Sequence, residues 1–259
     1  MNPNKGCEEC PLNPAENLVR LGVKMDQHDF LVALAGNPNT GKSTVFNALT
    51  GLHQHTGNWP GKTVARAEGG FLYEKKRFKI VDLPGTYSLL STSHDEEIAR
   101  NFMLFGQPHV TVIVAEASRL ERNLNLVLQI LEITERAVLC LNLMDEARRH
   151  GIQIDTAKLS AELGIPVVPT AARQGEGLNA LLKTIHDVAM GTLSCSPKRF
   201  QTGTSDLSEA LTILVGKLEK AFPGLSNARW VALRLLAGDE QIIEAVRDGQ
   251  LQSLAGANG

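Results

Sequence analysis

The sequence predicts an α/β protein: a doubly wound, mostly parallel sheet followed by a small all-helical C-terminal domain. Three observations carry this. Short apolar runs recur over residues 29–191, each ending at a turn and followed by a helical pattern. Those runs are almost continuously apolar, as strands covered on both faces must be. Beyond Gly191 the runs stop and only helical patterns remain.

In chain order, residues 1–28 read as an irregular leader broken by Pro3, Pro11 and Pro14. Residues 30–35 form the first apolar strand, and 42–49 follow as a helix. Further strands are expected over 79–83, 110–114, 137–142 and 166–169, with helical patterns at 123–133 and 178–188. The Ser/Pro/Gly-rich stretch 192–204 reads as a linker. Ser205 or Asp206 can cap a helix over 207–221, Pro223-Gly224 stops it, and helices over Ala228–Leu236 and Glu240–Arg247 follow. The expected units are therefore a leader over 1–28, an α/β domain over 29–191 and a helical domain over 205–259.

Composition narrows the function classes. A formal net charge of −2 lacks the basic excess of a dedicated nucleic-acid binder, so no nucleic acid is expected as a partner. No run approaches ~18 apolar residues, so no membrane-spanning helix is expected in this stretch. Residues 1–20 carry Glu8, Glu9 and Glu16 without an apolar core, so no secretory signal is read. The four cysteines fit a reducing, cytoplasmic setting, with Cys140 a buried free thiol in its apolar strand.

Gly36-Asn37-Pro38-Asn39-Thr40-Gly41-Lys42-Ser43 matches G-x-x-x-x-G-K-[ST] in full. Its glycines let backbone N–H groups curl around phosphates, and the helix that follows points its positive end at the same anion. Lys42 should reach the β- and γ-phosphates, Ser43 should ligate Mg²⁺, and Thr44 continues the first turn. Asp82-Leu83-Pro84-Gly85 ends the second expected strand. There the Asp82 carboxylate can hold the Mg²⁺ shell while the Gly85 amide senses the γ-phosphate. Asn142-Leu143-Met144-Asp145 follows a further strand. The Asp145 carboxylate can accept from guanine N1 and N2, donors that adenine lacks, and Asn142 braces the loop. Thr170-Ala171-Ala172 can offer a backbone amide to guanine O6.

These four segments, in this order at successive strand ends, are similar to the GTPase superfamily over residues 29–190. With Gly57-Asn58-Trp59-Pro60-Gly61-Lys62-Thr63-Val64 and Asp82-Leu83-Pro84-Gly85-Thr86-Tyr87-Ser88-Leu89, the chain resembles the cytosolic domain of the bacterial ferrous-iron transporter B (FeoB) family. The resemblance implies a TRAFAC-type, Ras-like P-loop GTPase that converts GTP to GDP and phosphate. Its nucleotide contacts would include Gly61, Lys62 and Thr63. Thr63 would serve Mg²⁺ with Ser43 and Asp82. The resemblance also implies K⁺ held by Asn39 and by carbonyls of Gly57 and Trp59, with Lys42, Asn39, Thr63 and Gly85 as the catalytic set. A monovalent cation near the β–γ bridge can take the electrostatic role of an arginine finger. The family setting implies regulating or driving ferrous-iron uptake at the cytoplasmic face of the bacterial inner membrane. It adds a transmembrane domain downstream as partner, and admits small accessory Feo proteins and a second copy.

Three departures stand out. Thr86 occupies the place where many GTPases carry a water-orienting Gln, so the attacking water needs another holder and slow turnover is expected. Leu143 replaces the usual Lys of the guanine motif, and Ala171 a common Ser. Cys7-x-x-Cys10 has metal-ligand spacing, with His28, Glu8 or Glu9 as further candidates, but a solvated leader is the simpler reading. His94-Asp95-Glu96-Glu97 reads as a helix N-terminus, where acids oppose the dipole favourably. A potassium-dependent GTPase of ribosome assembly or tRNA modification is the alternative function. It would bring a basic module, and residues 192–259 hold only sparse Lys and Arg.

Overall fold

The computed structural model describes residues 18–19, 21–25, 27–51, 54–90, 93–199, 205–223, 225, 227–249 and 251. Cys7 and Cys10, with Glu8 and Glu9, lie outside these residues. Contacts divide the chain into Met25–Arg199 and a smaller unit that contains the C-terminal helices.

Met25–Arg199 holds a seven-stranded sheet in the order β2-β3-β4-β1-β5-β6-β7. The strands are β1 (Phe30–Gly36), β2 (Gln54–Asn58), β3 (Ala65–Tyr73), β4 (Lys76–Asp82), β5 (Val110–Glu116), β6 (Ala137–Asn142) and β7 (Val167–Pro169). The helices of this unit are α1 (Lys42–Thr50), α2 (His94–Phe105), α3 (Leu120–Ile133), α4 (Met144–Arg149), α5 (Thr156–Leu163) and α6 (Leu178–Ala189). β4, β1, β5, β6 and β7 are parallel neighbours, whereas β2–β3 and β3–β4 are antiparallel.

Alternation on the strands builds two buried layers. Val32, Leu34, Phe78, Ile80, Val112, Val114, Val138 and Cys140 pack with Phe46 and Leu49 of α1 and Leu181, Ile185 and Val188 of α6. The alternate set, Leu31, Ala33, Val81, Ile113 and Leu139, is equally buried. On that side α3 packs against β1 and β5, contributing Leu126, Ile130 and Leu131. Cys140 is a free thiol at full burial, which pushes its pKa up to about 12.

β2 and β3 are not among the strands expected from the sequence, and β4 begins at Lys76, ahead of the expected 79–83. The hairpin between β3 and β4 turns on Glu74 and Lys75, both at positive φ (46° and 65°), positions usually given to Gly or Asn. Along β3, Arg66 and Glu68 are polar yet largely buried. Glu68 pairs with Arg66 at 2.8 Å and with Lys79 of β4 at 2.7 Å. The expected linker is also partly fixed. The Ser196 and Lys198 amides donate to the carbonyls of Gly164 (2.9 Å) and Leu163 (3.0 Å), tying this stretch to the end of α5.

The smaller unit contains α7 (Ser205–Ala221), α8 (Ala228–Leu236) and α9 (Glu240–Arg247), with α8 packed against both others. Asp239 joins α8 to α9. One carboxylate oxygen takes both Nε (2.9 Å) and Nη2 (2.7 Å) of Arg234, and the other accepts the Ile242 amide of the first turn at 3.3 Å. Among the described residues, no helix is long and apolar enough to cross a membrane.

Candidate nucleotide-binding site

The glycine-containing loop leaves the buried end of β1 and enters α1 at Lys42. Asn39 and Gly41 adopt left-handed φ values of 67° and 79°, which reverse the chain and direct the first N–H groups of α1 at the loop's hollow. Thr40 is buried, and its hydroxyl donates to the Asn37 carbonyl at 2.9 Å, closing the loop on itself. A Cβ at Gly41 would stand 2.4 Å from Nδ2 of Asn142, so glycine is needed for both space and φ. Ser43 and Thr44 expose their side chains at the first turn of α1.

The second segment lies alongside. The Lys42 ammonium pairs with the Asp82 carboxylate and donates to the Leu83 carbonyl at 2.7 Å. Burial pushes the Asp82 carboxyl above its ordinary value, and the Lys42 charge pulls against it. A carboxylate desolvated in this way favours a cation neighbour. With the Ser43 hydroxyl exposed nearby along the chain, the oxygen donors fit Mg²⁺. The Thr86 amide donates to the Gly36 carbonyl at 3.3 Å. A Cβ at Gly85 would meet Pro38 at 3.4 Å, so Pro84-Gly85 rests against the phosphate loop. Thr86 is buried, and a threonine carries no carboxamide with which to orient a water.

Asn142 joins the loops. It is 1% exposed. Its Nδ2 donates to the Thr40 carbonyl at 3.0 Å, and its Oδ1 accepts from the Thr170 hydroxyl (3.2 Å) and the Ala172 amide (3.1 Å). One side chain, at the head of the 142–145 loop, therefore ties the 36–43 loop to the 170–172 loop. Leu143 sits in the left-handed region at φ 61°, and the Met144 amide donates to the Thr170 carbonyl at 3.1 Å. These contacts set Asp145 at the start of α4. The amides of Ala171 and Ala172 are both engaged, with the Glu176 carbonyl (3.1 Å) and Asn142 Oδ1 (3.1 Å). Either must release its bond to meet a base oxygen.

Five further residues lie beside Asp145. A cleft of about 650 Å³ is lined by Asp145, Arg148, Arg149, Arg173, Gln174 and Glu176. Gln174 donates from Nε2 to Asp145 Oδ2 at 3.1 Å, Arg149 lies 3.6 Å from the same oxygen, and Arg148 pairs with Glu176 at 2.5 Å. No sequence motif marks them; their closeness in the chain to Asp145 and Thr170 is the one signal that could have found them.

The segment around Gly57 departs from expectation. Gly57 pairs with Arg66 in the β2–β3 ladder. Trp59 begins a turn through Pro60 and Gly61 (φ 68°) in which its carbonyl accepts the Lys62 amide at 3.0 Å. The Trp59 ring is buried edge-on against Phe102 of α2, with the Arg66 guanidinium 5.5 Å from its centre. The Gly57 and Trp59 main chain is thus committed to a hairpin, so as arranged here it does not fit the oxygen nest expected to hold K⁺ with Asn39. Thr63 is exposed beyond the turn. Lys62 reaches Glu97 of α2 at 3.1 Å. α2 starts as predicted, with Ser93 accepting from the Glu96 amide at 3.3 Å and Asp95, Glu96 and Glu97 in its first turn. His28 Nδ1 donates to the Met25 carbonyl (3.0 Å), a local turn contact.

Residues 30–185 match the family model for ferrous iron transport protein B, and residues 204–257 that for the FeoB cytosolic helical domain. The Fe(2+) transporter FeoB of Escherichia coli K12 is 39% identical over 219 residues, covering 80% of this chain and 27% of that protein. An Fe(2+) transport protein A/FeoB fusion protein of Porphyromonas gingivalis is 37% identical over 252 residues, covering 93% of this chain and 30% of that one. The chain therefore spans about a third or less of the curated relatives it matches. Among solved structures, the apo cytosolic domain of the T. maritima FeoB iron transporter superposes with a TM-score of 0.78 at 36% identity, covering 88% of this chain and 94% of that one. The GMPPNP form of the same domain gives 0.74 at 38% identity, covering 84% and 85%. The chain belongs to the ferrous iron transport protein B family.

Proposed function

We propose that this chain binds GTP and GDP on the 36–43 loop and hydrolyses GTP to GDP and phosphate. In this reading it is the cytoplasmic, nucleotide-operated part of a bacterial inner-membrane ferrous-iron transporter, regulating or driving uptake through a transmembrane domain. The observation behind the reading is the convergence of three strand ends. Lys42 bonds to Asp82 and Leu83, and Asn142 bonds to Thr40, so an anion-binding helix start and a base-reading carboxylate belong to one site. GDP and GMPPNP forms of the T. maritima domain support the ligand class.

In this reading Lys42 exchanges one anion for another. Its ammonium leaves Asp82 for the β- and γ-phosphates, trading a charge-assisted bond for a bond of the same kind. The freed Asp82, with Ser43 and Thr63, would hold Mg²⁺, which neutralises charge building on the phosphates. The Gly85 backbone rests against Pro38 of the loop, and its amide would sense a third phosphate. Thr86 is buried and carries no carboxamide, so that position lacks a water-orienting Gln. Slow turnover follows. Potassium stimulation belongs to the same reading and requires the Gly57–Trp59 main chain to leave its hairpin.

Phosphate release from GTP and from ATP, with Mg²⁺ in KCl, tests the reading. Release from GTP alone, lost in Lys42→Ala with the circular dichroism spectrum unchanged, is expected. Equal release from ATP, or none from either, overturns it.

A further inference from the structure

Asp145 is placed to read guanine, yet its carboxylate already has a partner. Gln174 Nε2 donates to Oδ2 at 3.1 Å. A carboxamide NH₂ offers the same kind of donor that guanine brings from N1 and N2, and both approach the same carboxylate. Gln174 is held there by its turn. The Ala171 and Glu176 amides bond across it to each other's carbonyls at 3.1 and 3.3 Å, and the Gly175 amide reaches the Ala172 carbonyl at 3.2 Å. From α4, Arg148 clasps Glu176 at 2.5 Å. The turn that carries Gln174 is thereby pinned to the helix that carries Asp145.

We propose that Gln174 is an internal stand-in for the guanine base, a positioning residue that occupies Asp145 until guanine displaces it and so lowers guanine-nucleotide affinity. The inference rests on the guanine-nucleotide reading given above. Each binding event must first break the Gln174–Asp145 bond, so the apparent affinity is reduced by the fraction of molecules in which Asp145 is free. Asp145 retains partial exposure, with its side chain 23% accessible, so water replaces part of what Gln174 gives up. A charge-assisted bond at such a site corresponds to about a threefold to tenfold reduction.

The test is Gln174→Met, which keeps the length of the side chain and removes its donor, measured by titration with GDP and with ADP. The expected result is GDP affinity raised about threefold to tenfold, with ADP binding unchanged. On an Asp145→Ala background the same Gln174→Met change should leave GDP affinity unaltered, because the carboxylate in dispute is gone. Unchanged or weaker GDP binding in Gln174→Met overturns the proposal, as does an equal gain on the Asp145→Ala background. Wild-type protein without preference for GDP over ADP removes the guanine reading itself, and this inference with it.

Discussion

Asn142→Ala should both destabilise the α/β unit and weaken nucleotide binding, and the size of the effect follows from its bonds. Truncation removes a donor to the Thr40 carbonyl and an acceptor for the Ala172 amide and Thr170 hydroxyl. The Thr170 hydroxyl keeps alternatives at the Leu141 carbonyl (3.4 Å) and Cys140 Sγ (3.2 Å). The other two groups are buried and lose their partner. Each unsatisfied buried group costs about 1–3 kcal/mol, and water entering the small void recovers part of that. The expected loss is about 2–4 kcal/mol, or about 4–16 °C in Tm for a unit of this size. The phosphate and base loops would also lose their brace, so GDP should bind at least about tenfold more weakly, ~1.4 kcal/mol. Urea unfolding followed by Trp59 fluorescence, in a Trp230→Phe background, reads the α/β unit alone. A loss under about 0.5 kcal/mol with unaltered GDP affinity would refute the bracing role, being within the range of neutral surface changes.

Other consequences follow from single groups. Thr111 is fully buried, and its hydroxyl has no partner among the described residues; Thr111→Val should raise stability by about 1 kcal/mol in urea unfolding. His109 accepts the Leu31 amide on Nδ1 at 3.0 Å, and burial, with Arg136 nearby, holds its pKa below the ordinary histidine value. The unfolded chain then binds a proton more readily, so stability is full above about pH 6.5 and falls as pH drops from there towards the folded pKa. His109→Asn, whose Oδ1 can take the same amide, should flatten that decline in a pH series of unfolding curves. For potassium, phosphate release should be at least about tenfold faster in KCl than in NaCl, about 1.4 kcal/mol of barrier. Asn39→Ala should remove most of that difference while GTP still binds, and equal wild-type rates in the two salts would exclude the ion.

Much of this molecule was readable from its residues, for definite reasons. The parallel strands β1, β5 and β6 are nearly continuous apolar runs, and the segments 36–43 and 142–145 follow the ends of two of them, so order and spacing placed these loops. The three C-terminal helices lie where the sequence placed them, with Ser205 or Asp206 and Pro223-Gly224 as the punctuation. The β2–β3 hairpin was not legible. Its buried face carries Arg66 and Glu68, which imitate a solvated surface until Lys79 of the neighbouring strand completes the cluster. The next turn, between β3 and β4, lacks Gly and Asn, and Glu74 and Lys75 adopt positive φ regardless. The same blind spot hid the commitment of Gly57 and Trp59 to pairing, because a strand made of Gln54-His55-Thr56-Gly57-Asn58 has no apolar alternation. Gln174 and the Arg148–Glu176 clasp were invisible for a different cause: they are side-chain contacts between α4 and a turn nearly thirty residues on, and no spacing encodes them.

The account stands most directly on Asp145 as the reader of the base. An Asn in its place keeps one acceptor and replaces the other with a donor, which matches the C2 carbonyl of xanthine and opposes the C2 amine of guanine. Calorimetric titration of wild type and Asp145→Asn with GDP and xanthosine diphosphate is the decisive measurement. Lost charge-assisted bonds of roughly 1.5–3 kcal/mol predict at least about tenfold weaker GDP binding in Asp145→Asn, with xanthosine diphosphate now preferred. Unchanged GDP affinity in the variant would take Asp145 out of the site and contradict the account.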